Sequence, residues 1–200
     1  SYREGRQVTY RPAMLEGKDK QHDISFLARD AMLFGRGDYV HRAWVFMLLA
    51  RQENLDVVLL AVPDKVGAHG WRPWLPALVH QDGLYLFDTY LGLPIPGPDK
   101  RPATLAQVLA NPQLLAALDL PNQPYPLEAA GLKEVIVLVE GSPAYLTRRM
   151  QAVDRRLAGD KKVVLAAYPA AIAEKLKGMP GVADVRLWPQ PFEAQHDRQS

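Results

Sequence analysis

Between Gly37 and Tyr90 the chain carries one helical pattern and three apolar runs of strand length, with few polar interruptions. Asp38 is placed to cap a helix in which Ala43, Phe46, Met47 and Ala50 recur at helical spacing, while Val45, Leu48 and Leu49 widen the stripe. A helix with so few polar positions is expected to be central and mostly buried. Arg51, Gln52 and Glu53 end it in polar residues, with Asn54 as its C-cap. Residues 57–62 are a β-branched and leucine run halted by Pro63, which reads as a buried strand. After a loop over 63–73, residues 75–80 and 84–89 flank Gln81-Asp82-Gly83, a hairpin signal. This stretch alone predicts an α+β fold.

The flanks are less regular. Residues 1–22 read as a polar lead-in with one strand at 7–10, and Asp23 as the cap of a helix with Ile24, Phe26, Leu27, Ala31 and Leu33 as apolar positions. Residues 92–102 hold four prolines and predict irregular chain. Thr104 is expected to cap a short helix, and Asn111 with Pro112 to start another ending near Leu118. A second proline group follows at Pro121, Pro124 and Pro126, and a domain boundary is expected between the two groups. The last third alternates: strand 135–139, helix 142–157 capped by Ser142, strand 163–167, helix 169–177 closed by Gly178, and strand 182–188. That β-α-β-α-β order predicts a small α/β domain. The expected organisation is a first domain over 1–100, a helical, proline-rich connector over 101–126 and the small α/β domain over 127–200.

Bulk properties exclude several function classes. The apolar share of 48% and charged share of 23% are those of a globular protein, and 24 basic against 22 acidic residues give no nucleic-acid or membrane-surface signal. There is no cysteine, hence no disulfide, thiolate metal site or thiol nucleophile. The apolar runs fall far short of the ~20 residues of a membrane helix. With Ser1 as its first residue, the chain is expected to be a processed chain or a piece cut from a longer one.

A helix followed by three strands resembles the core of the transglutaminase-like superfamily, within the papain-like group. There a Gly-x-Cys opens the helix, a phrase like Ala-x-x-Phe-x-x-Leu-x-Arg follows, and a His and an Asp come from later strands. Gly37, Ala43, Phe46, Leu49 and Arg51 fit the helix phrase, and Phe87-Asp88-Thr89 is similar to the family's Asp-Pro-Thr ending. The resemblance covers roughly residues 23–95. It implies that Tyr39 stands at the nucleophile position and Trp74 near the histidine position, with Asp88 retained. A tyrosine with a pKa near ~10 and no base is a poor acyl-transfer nucleophile, so the resemblance implies a degenerate domain without catalytic residues.

Candidate binding residues follow from that placement. Tyr39, Trp71, Trp74 and Tyr90 are expected to line an aromatic cleft, with Asp88 as a groove residue or a strut bonded to nearby amides. His41 reads as an exposed first-turn residue, the other reading being a replacement base or a metal ligand. His69 and His80 lack partners at ligand spacing, so no metal and no cofactor is expected. Gly141-Ser142-Pro143 reads as a helix start, not a nucleophile elbow. Arg148, Arg149, Arg155, Arg156, Lys161 and Lys162 read as a solvated basic face, with phosphate or acidic-partner binding as the other possibility.

Two functions compete. The first is a non-catalytic protein-binding or scaffold module of a larger bacterial protein. Its partner would be a protein or peptide, including another part of the same parent chain. The company that such domains keep points to the cell envelope. The second is a hydrolase of another class that reuses the cleft, pairing Asp88 with one of His41, Asp82 or His69.

Overall fold

The computed structural model describes residues 27–35, 37–64, 70–98, 100–119, 125, 132, 134–141, 148–157 and 169–197. Six strands form one mixed sheet in the order β4-β3-β2-β1-β5-β6, and helices cover both of its faces: an α+β fold. The strands are β1 (Val57–Pro63), β2 (Trp71–His80), β3 (Gly83–Asp88), β4 (Leu93–Pro94), β5 (Ile136–Val139) and β6 (Asp184–Leu187). The helices are α1 (Ala28–Phe34), α2 (Tyr39–Gln52), α3 (Leu105–Ala110), α4 (Gln113–Ala116), α5 (Arg148–Arg156), α6 (Pro169–Leu176) and α7 (Gln190–Asp197).

The sheet runs straight through the position where a domain boundary was expected. β5 pairs antiparallel with β1, Leu59 opposite Leu138 and Ala61 opposite Ile136, and β6 then pairs parallel with β5. The last third therefore completes the sheet begun by the first, and the expected split at 101–126 is corrected. The physical reason is in β1 itself. Val57 to Val62 are all at most 5% exposed, so this strand needs a neighbour on each side and a cover on each face.

Two apolar layers fill the faces. Val58, Leu60, Val62, Trp74, Leu75, Leu84, Leu86, Val137 and Val139 pack under α3, α4 and α6. Val57, Leu59, Ala61, Trp71 and Leu138 pack under α1, α2 and α7. The buried stripe of α2 is Val40, Ala43, Trp44 and Met47, not the expected Ala43, Phe46, Met47 and Ala50, and Leu49 is exposed. Asp38 caps α2 as expected, accepting from the His41 N–H at 2.9 Å. At the other end Asn54 takes a left-handed φ of 58°. Leu55 N then bonds Ala50 O and Asn54 N bonds Arg51 O, which closes the helix in a Schellman motif.

Other expectations shift. Described helix α1 is capped at Leu27, whose N–H donates to Asp30 at 3.0 Å, and Leu33 is exposed instead of buried; Asp23 lies outside the described residues. The loop expected to reach residue 73 is shorter, because β2 begins at Trp71. Its prolines are accommodated by a bulge: Leu59 pairs with Pro76 but Ala61 with Pro73, so both Trp74 and Leu75 stand opposite Leu60. The 92–102 stretch is not wholly irregular, since β4 pairs with Phe87 and Asp88, and Pro96 bridges Pro102. Helix α7 was not foreseen. The strands expected at 7–10 and 163–167, together with Ser142, Pro143, Lys161 and Lys162, lie outside the described residues.

Candidate functional site

The residues expected to line one cleft occupy both faces of the sheet. Trp74 packs in the layer under α3, whereas Trp71, three residues earlier and so on the opposite face of the strand, packs in the layer under α2. Both indoles are buried. Along β3, Phe87 stacks on Phe46 of α2, ring centroids 5.5 Å apart. Strand alternation then sends Asp88 to the opposite face.

There Asp88 and Trp74 do meet, through a residue the sequence did not single out. Tyr125 donates its hydroxyl proton to Asp88 Oδ2 at 2.8 Å and lies 3.3 Å from Trp74 Nε1, whose N–H donates to it. Asp88 Oδ1 accepts from the backbone N–H groups of Tyr90 and Leu91, at 2.8 and 2.9 Å. All three partners are donors, as a carboxylate 7% exposed requires. Asp88 is thus the strut of a strand end. It ties β3 to the turn that follows and to Tyr125.

Tyr39 stands on the other side. It opens α2 and donates its hydroxyl to the carbonyl of Pro73, 3.2 Å away, reaching the backbone beside Trp74 but not the Trp74–Asp88 pair. Tyr90 lies under the guanidinium of Arg42, 5.9 Å from ring centroid to Cζ. His41 has a 12% exposed side chain rather than an open one, and its Nδ1 sits 2.7 Å from Asp38 Oδ1. Partial desolvation pushes the Asp38 carboxyl up, but the hydrogen bonds from the His41 ring and N–H outweigh it and hold the group below its usual range. His80 and Asp82 pair at 3.3 Å on the exposed β2–β3 turn. His69 lies outside the described residues.

Asp88 therefore meets a tyrosine and backbone amides, with no histidine in hydrogen-bond contact among the described residues. The described residues also bring together no group of three or more His, Asp or Glu suited to a metal. No described helix is long and apolar enough to cross a membrane.

A second polar cluster, on the α2 face, was missed altogether. Glu140 follows the last residue of β5 and is 7% exposed. Its Oε1 accepts from the Trp44 indole N–H at 2.6 Å, and its Oε2 pairs with Arg51 at 2.5 Å. Trp188, just past β6, packs edge-on against Trp44 with centroids 5.3 Å apart. Trp44 and Arg51 are seven residues apart on α2, hence on one face. A glutamate directly after an apolar strand was the other half of the signal, although nothing in sequence joins the two halves.

No family model matches this chain, nor does any curated protein or solved structure.

Proposed function

We propose that this chain is a non-catalytic protein-binding or scaffold module, and that its helix-and-meander half is a degenerate transglutaminase-like domain. What supports this reading is the state of the Asp88 carboxylate: both oxygens are occupied by donors from within the chain, and its neighbours are a tyrosine and a buried tryptophan. A triad carboxylate orients an imidazole, and among the described residues none hydrogen-bonds Asp88. Tyr39 is likewise engaged with Pro73. Three consecutive apolar side chains, Met32, Leu33 and Phe34, remain exposed at the end of α1, just before the α2 N-terminus. They offer apolar area to a protein partner.

The test is an activity survey paired with one substitution. The protein is incubated with a glutamine peptide and a primary amine, and separately with peptide and ester substrates, while ammonia and new termini are followed. The expected result is no turnover above a heat-treated control. Turnover that vanishes in a folded Asp88→Asn variant would overturn the proposal and establish the hydrolase reading.

A further inference from the structure

At the outer edge of β3, far from α2 in sequence, a small cleft has walls that neither reading above uses. It holds about 90 Å³ and is lined by Tyr85, Pro98, Arg101, Pro102, Thr104 and Gln107. A single water needs ~10–15 Å³ of such space, so the cleft has room for a carboxylate with its attached methylene.

The hydrogen bonds around it decide what it can hold. Thr104 caps α3: its Oγ1 accepts from Gln107 N at 3.3 Å, while Gln107 Oε1 accepts from Thr104 N at 2.9 Å. The Gln107 carbonyl oxygen and a Thr104 lone pair are therefore spent. Left over are the Gln107 side-chain NH₂, the Thr104 hydroxyl proton and the Arg101 guanidinium, which has no ion-pair partner among the described residues. Among the described residues the wall thus offers one cation and the donors of Gln107 and Thr104, beside the Tyr85 hydroxyl, whose proton points to Asp82 Oδ2 at 3.5 Å. Such a wall suits an anion that brings only acceptors.

The segment carrying Arg101 is also pre-shaped. Gly97 N bonds Arg101 O at 2.9 Å, and Ala103 N bonds Ile95 O at 2.7 Å. Pro96, Pro98 and Pro102 fix their φ angles, and Lys100 sits in the left-handed region at 57°. A side chain on Gly97 would meet the Arg101 carbonyl at 2.7 Å. Little loop entropy is left to lose when a ligand binds.

We propose that this cleft binds a carboxylate, presented as the acidic side chain of a peptide or protein partner. The planar guanidinium fork matches a carboxylate, a single cation suits a single negative charge, and the Tyr85 ring with Pro98 and Pro102 accommodates the methylenes of the same side chain. The site is separate from the Asp88 strut, and it stands or falls independently of the non-catalytic reading.

The experiment is a titration followed through the side-chain ¹⁵N–¹H signals of Arg101 Nε and Gln107 Nε2. Three probes are used: N-acetyl-glutamic acid N-methylamide, N-acetylglycine and inorganic phosphate. Saturable shifts are expected with the glutamate derivative, with a Kd of millimolar order. Binding should weaken about tenfold or more in Arg101→Met, as loss of a charge-assisted pair implies. The same loss is expected in Gln107→Glu, which retains an oxygen acceptor for the Thr104 N–H but puts a negative charge into the cleft; an unmoved Thr104 amide signal checks that the cap survives. Absence of saturable shifts would overturn the proposal, and so would equal binding by Arg101→Met. Preference for N-acetylglycine would overturn the side-chain assignment in favour of a chain terminus. Phosphate binding as tight as the glutamate derivative would overturn the carboxylate assignment.

Discussion

Glu140 offers the sharpest test of the packing between the first and last thirds of the chain. In Glu140→Ala, the Trp44 indole N–H loses its acceptor while Trp44 stays 5% exposed. Arg51, whose side chain is 21% exposed, keeps its charge without a partner. An unsatisfied buried donor costs ~1–3 kcal/mol, and breaking a buried pair from one side costs ~3–5 kcal/mol in all. Because Arg51 retains some access to water, the expected loss is near the lower bound, about 3 kcal/mol. Glu140→Gln keeps an acceptor for Trp44 and loses only the charge, so about 1–2 kcal/mol is expected. The assay is urea unfolding at pH 7, followed by circular dichroism and by tryptophan emission, which the Trp44–Trp188 contact makes sensitive to this seam. Adding Arg51→Met to Glu140→Ala should recover part of the loss, because the orphaned charge goes as well. A Glu140→Ala loss under about 1 kcal/mol, typical of an exposed pair, would refute the placement of this carboxylate at the seam.

Two further outcomes follow from the same hydrogen-bond accounting. Tyr125→Phe strips Asp88 Oδ2 and Trp74 Nε1 of their shared partner, and about 1–3 kcal/mol of stability should be lost in the same unfolding assay. The Asp38 carboxyl is held low in the folded state, so it stabilises the fold above its unfolded pKa of ~4 and loses that contribution as the pH falls through the lower folded value. Asp38→Ala should therefore cost about 1 kcal/mol at pH 6 as a lost helix cap, and the gap to the parent protein should narrow below pH 4 in a pH series of melting curves.

Local patterns carried the local elements. The α2 cap, the β1 run, the Gln81-Asp82-Gly83 hairpin, the Thr104 cap and strands β5 and β6 each depend on residues within a few positions of one another, and each is found where the periodicity puts it. The misses are long-range. Which strand lies beside β1 is decided by burial on both of its edges, and no residue in 57–63 names β5 as the neighbour. Proline read as a breaker hid the start of β2 and all of β4, since Pro73, Pro76 and Pro94 sit where a bulge or a sheet edge spares the missing N–H. The cleft residues suffered most. Spacing along a strand gives the face of a side chain only while alternation is unbroken. The bulge opposite Leu60 puts Trp74 and its neighbour Leu75 in one layer, while Tyr125, in a proline-rich stretch without periodicity, gave no warning that it completes Asp88.

The placement of β5 also has a consequence for the order in which this protein can be made. Leu60 must wait for Val137 before its strand has a neighbour on that side. On a ribosome adding about 5–20 residues per second, that interval lasts roughly 4–15 s. Through that time an apolar strand edge is presented by a nascent chain whose hairpin can already have closed on the opposite side. The final third of the sequence thus ends the period in which β1 is open to pairing with another chain.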